Sequence, residues 1–63
     1  MMNKEAIYGV MYGITVAKGI IGVAMDELED CGLDDYELEA AKEYLREGIR
    51  RLDMAYDIVY AED

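Results

Sequence analysis

Histidine, proline, phenylalanine and tryptophan are absent from these 63 residues, and cysteine occurs once. Without histidine, the usual nucleophile–base pairing around Cys31 cannot form, and the commonest metal ligand is missing as well. The carboxylates Asp26 to Asp30, in the run DELED, have no second cluster at metal-ligand spacing, so no catalytic residue, metal site or cofactor motif emerges. A lone cysteine excludes an internal disulfide and fits a reducing cytoplasm, and the N-terminus carries no cleavable signal pattern. The lack of proline leaves nothing to interrupt a long helix. Basic residues are scarce too: 6 against 15 acidic ones, for a net charge of −9. That excludes a basic footprint for a nucleic-acid polymer.

What is abundant is apolar surface, at 54% of the chain. Ala6 to Met25 read AIYGVMYGITVAKGIIGVAM, apolar on every side, with Lys18 as the one formal charge. A segment of this kind must be buried all round. Gly9, Gly13, Gly19 and Gly22 lie within it, and each glycine costs a helix roughly 0.8 to 1 kcal/mol relative to alanine, which close approach by a partner helix or ligand would offset. So small a chain, without disulfide or metal staples, commonly reaches stability by oligomerising.

The only punctuation between two long periodic segments is EDCGLDDYE, residues 29–37. Gly32 suits a left-handed C′ position ending a first helix, with Leu33 packing back on Leu28 in a Schellman arrangement. Asp34 and Glu37 form a capping box, flanked by a Leu33–Leu38 staple. With Asn3 as an N-cap, the spacing predicts helices at about residues 4 to 30 and 35 to 61, joined by a turn at 31–34. The fold class is therefore all-α, one antiparallel two-helix hairpin. Leu38, Ala41, Leu45, Gly48, Leu52, Ala55 and Val59 form a heptad on the second helix, and Gly13, Ala17 and Ala24 are the small positions expected to meet it. Ile7, Val10, Met11, Ile14, Ile20, Ile21 and Val23 would then remain uncovered, which predicts a homo-oligomeric helical bundle, a dimeric four-helix bundle as the minimum with a larger ring as the alternative. A membrane span is the competing destination for twenty such residues. It would place Lys18 in the bilayer at roughly 2.5 to 3.5 kcal/mol and strand the small positions of the second helix, so membrane insertion is set aside.

The interleaved charges Glu39 with Lys42, Glu43 with Arg46, and Glu47 with Arg50 and Arg51 predict a solvated helix face. Arg50 and Arg51 also suit a phosphate clamp. Lys18 either pairs with Glu47, which a hairpin closing near Gly32 puts at its level, or holds an anion that Gly19 admits to the backbone. Tyr8 and Tyr12 fall level with Tyr56 and Tyr60 at the open end, and suit an oligomer interface or a base-stacking platform.

The stretch from Ala41 to Val59, AKEYLREGIRRLDMAYDIV, resembles the last helix of the phage-encoded cyclic-nucleotide sponges that counter CBASS and Thoeris defence, through Ala41, Lys42, Leu45, Glu47, Gly48, Leu52 and Ala55. Ala17, Lys18 and Gly19 are similar to a lysine–glycine step in that family's first long helix. The resemblance implies a homo-oligomer, often a hexamer, that binds signalling nucleotides between protomers without cleaving them, the lysine meeting phosphate. On this basis the expected activity is sequestration of a small anionic nucleotide messenger, with Lys18, Gly19, Tyr8, Tyr12, Arg50 and Arg51 as ligand-binding residues. The alternatives are an acidic protein inhibitor or nucleic-acid mimic that binds a host enzyme, and a purely structural oligomerisation module.

Overall fold

A computed structural model describes residues 3–62. Helix α1 spans Lys4–Leu28 and helix α2 spans Asp35–Tyr60, packed against each other as a hairpin. Asn3 caps α1, its Oδ1 accepting from the Ala6 N–H at 2.7 Å. Both halves of the capping box open α2: the Glu37 N–H donates to Asp34 Oδ1 at 2.8 Å, and the Asp34 N–H donates to Glu37 Oε1 at 3.4 Å.

The end of α1 departs from the expected Schellman closure. Glu29, Asp30 and Cys31 wind on through N–H bonds to the carbonyls three residues back, and Gly32 turns left-handed only after them, at φ +86°. Asp26, Glu27, Glu29 and Asp30 crowd the negative end of the helix dipole with no basic residue in the last turn, which accounts for α1 ending at Leu28 rather than 30.

The faces also distribute differently from the expected seam. Ile7, Met11, Ile14, Lys18, Ile21, Met25 and Leu28 turn toward α2 at alternating four- and three-residue spacing, with only Ile7 and Ile14 fully buried. Ile7, Met11, Ile14 and Ile21 are thus covered by the chain's own second helix, whereas Val10, Ile20 and Val23 are exposed. Gly13 and Ala24, expected at the seam, are exposed as well. Large residues took the seam of α1 because they bury more apolar area there than Gly or Ala. At Gly48 an added Cβ would meet nothing within 4 Å, so this glycine is not the point of close approach that the heptad suggested.

Opposite the seam, Gly9, Gly13, Val16, Ile20 and Val23 repeat the same spacing, with Tyr12 beside them, and every one of these residues is exposed. The apolar surface of α1 is therefore two heptad stripes back to back, of which α2 covers one. The resulting rod measures 46 × 15 × 10 Å, with a radius of gyration of 14.7 Å. A globular chain of this length would have about 11 Å.

The two contrasting glycines yield one prediction. Gly48→Ala should raise the melting temperature by several degrees, corresponding to about 1 kcal/mol of helix propensity with no clash to set against it. Gly32→Ala should lower stability by about 1 to 2 kcal/mol, since it forces a side chain into left-handed backbone. Thermal denaturation followed by circular dichroism checks both signs.

Candidate functional site

The basic side chains are the natural starting point, because so acidic a chain can hold an anion only where cations outnumber carboxylates locally. Lys18 does not reach Glu47. It donates to Asp53, a turn and a half further along α2. Lys42 likewise passes over Glu39 and pairs across the turn with Glu29. Both shifts have one cause: side chains on a helix lean toward its N-terminus, so in an antiparallel pair Lys18 leans to the open end and Lys42 to the turn. Lys18 and Glu29 are eleven residues apart, as are Lys42 and Asp53, a spacing of three helical turns. Both ion pairs therefore lace the same edge of the hairpin. Exposed pairs of this kind are each worth about 0.2 to 1 kcal/mol and fix register more than stability.

Arg46 pairs with Glu43 at 3.0 Å, as expected. The arrangement at the next turn is different. Arg50 and Arg51 both donate to Glu47, Arg51 Nε to Oε1 at 3.0 Å and Arg50 to the other oxygen. Each other paired cation has its own carboxylate among the described residues, whereas these two share one. The local charge is thus positive on a chain of net −9. The two guanidiniums, with Glu47 and Met54, line an open depression of about 540 Å³ on the outer face of α2. The hydrogen bond from Arg50, then that from Arg51, holds the Glu47 carboxyl below its ordinary value of 4.5, and the same bond raises Arg50.

The six residues expected to bind a ligand do not converge within one protomer. Tyr8, Tyr12 and Gly19 lie on exposed parts of α1, Lys18 is at the laced edge, and Arg50 and Arg51 are on the far side of α2. Tyr8 and Tyr12 do not stack on the tyrosines at their level; the stacked pair is Tyr56 with Tyr60 along α2, centroids 6.3 Å apart. Met54 was not anticipated as part of the site. Its signal was its place beside the two arginines, three and four residues on, opposite the predicted seam. No protein-family model, curated protein or solved structure matches the chain.

Because the folded Glu47 carboxyl sits below 4.5, its link to the arginines stabilises α2 above that pH and is lost as the pH falls through the lowered value. A carbon-detected NMR titration should place the Glu47 transition below the ordinary glutamate value. Glu47→Gln should remove that low-lying transition and leave both guanidiniums unneutralised.

Proposed function

We propose that this chain is a non-catalytic binding protein that assembles with copies of itself, two to six, in a host cytoplasm and sequesters a small anionic nucleotide messenger. The observation that carries the reading is the Arg50–Arg51 pair sharing Glu47 over an open depression. Two guanidiniums present planar donors to phosphate oxygens, and swinging away from one shared carboxylate frees both at once. The depression is open and lined by four residues of one helix, so one protomer supplies only the floor of a site. A neighbouring protomer packed on α2 would supply the wall, and its Tyr8, half exposed and outside the stripe that includes Tyr12, would supply a face for a base.

The repulsion between a −9 chain and phosphate is screened beyond about 8 Å at physiological ionic strength, so the two nearby arginines decide affinity. Lys18 takes second place in this reading, because it must release Asp53 before it meets phosphate. Gly19, with nothing within 4 Å of an added Cβ, leaves α1 backbone approachable beside it.

A melting-temperature panel of cyclic dinucleotides, cyclic trinucleotides and ADP-ribose derivatives tests the reading. A ligand at 100 times its dissociation constant stabilises by about 2.7 kcal/mol, which for a domain of this size means a rise of about 10 °C or more. Calorimetry with the best ligand should then show at least a tenfold loss, about 1.4 kcal/mol, for Arg50→Ala or Arg51→Ala, and a smaller loss for Lys18→Ala. No shift with any ligand on the panel overturns the nucleotide reading and leaves the exposed stripe of α1 to speak for an oligomerisation module.

A further inference from the structure

We infer that the exposed stripe Gly9, Tyr12, Gly13, Val16, Ile20 and Val23 is the seat of a second copy of the same stripe, running antiparallel about a two-fold axis near Val16. This rests on the assembly half of the reading above and gives it a surface and an orientation; it does not depend on the ligand.

Area argues that something is seated there. The hairpin exposes 4904 Å². A folded chain of 7.1 kDa exposes about 4,100 Å². The excess of about 800 Å² equals what each partner of a standard protein–protein interface buries. The stripe is uncharged, and Gly9, Gly13 and Gly19 leave open grooves in which an added Cβ would touch nothing within 4 Å.

Charge selects the occupant. By length and composition α1 is able to cross a membrane. However, it is zipped along its length to α2, whose Asp35–Tyr60 segment carries eleven charged residues, so insertion would require the seam of Ile7 and Ile14 to open. Shallow attachment to an anionic lipid surface is opposed by the net charge of −9 and by the lack of any basic residue on the stripe. A second stripe of the same kind brings neither difficulty.

Charge also selects the direction. Eight of the fifteen acidic residues fall between Asp26 and Glu39, with no basic residue among them. A parallel pair would set these two acidic ends side by side. An antiparallel pair puts them at opposite ends of a rod 46 Å long, several screening lengths apart. With the axis at Val16, Gly9 of each copy faces Val23 of the other, small against large, and Tyr12 faces Ile20.

Cross-linking tests this on the full chain carrying Cys31→Ala. Gly9→Cys and Val23→Cys chains, mixed and oxidised at micromolar concentration, should form a disulfide-linked heterodimer, while neither alone links appreciably. Efficient linking of each alone means a parallel pair and overturns the inference; so does a monomer in sedimentation with no linking in the mixture. Flotation of the parent with neutral phosphatidylcholine vesicles would overturn it in favour of a bilayer. Linking in the expected pattern by a protein that binds none of the nucleotides would remove the ligand reading and leave this interface standing.

Discussion

The structure depends on one mismatch: α1 is apolar on two opposite sides and the described residues offer it one other helix. Folding as a hairpin satisfies one stripe, from Ile7 to Leu28, and does so thinly, since among the described residues only Ile7 and Ile14 are buried, and Ile14 keeps 8% of its surface exposed. Each such side chain contributes about 1.5 to 3 kcal/mol on full burial, a narrow base for ordering two helices of 25 and 26 residues. The second stripe, from Gly9 to Val23, is apolar surface that no rearrangement of a single hairpin can hide, because both faces of one helix cannot meet the same partner.

Within that frame, polar chemistry sets register more than it supplies stability. The two cross-helix ion pairs lie on one edge, Lys18 with Asp53 and Lys42 with Glu29, and both slopes follow from the N-terminal lean of helical side chains. Sliding α2 by one turn would part both pairs together. The opposite edge carries Ala17, Ala41, Gly48 and Ala55, half-buried and without charge, so nothing polar holds the helices together on that side.

The caps were legible in the sequence and the faces of α1 were not, for a physical reason. Asn3, Asp34 and Glu37 act within three residues of themselves, so cap chemistry does not wait on tertiary structure. The heptad of α2 stood out against a charged background, and all seven of its positions are half-buried. An apolar helix has no such contrast. Ile, Val and Gly recur at every phase of α1, and the one charge, Lys18, sits inside the seam rather than opposite it, where its ammonium reaches the edge on a flexible stem. The Schellman ending does not form at Gly32, where four carboxylates crowd the C-terminus of α1. The Arg50–Arg51 pair was visible as sequence neighbours, but their sharing of one carboxylate required coordinates.

The uneven placement of charge ties these features together. The acidic residues cluster at the turn and along the outer side of α2, the cations from Lys18 onward each have a carboxylate of their own except where Arg50 and Arg51 divide one, and the second stripe of α1 is left neutral. Like-charged chains associate only through surfaces that carry none of the repelling charge, and here that surface lies on the opposite helix from the arginines. Pairing through α1 therefore leaves the Arg50–Arg51 depression facing outward on both α2 helices, where a further copy packed on α2 would meet it. The same neutral stripe that makes the lone hairpin incomplete is thus a surface whose burial brings copies together without covering the place where two cations share one carboxylate.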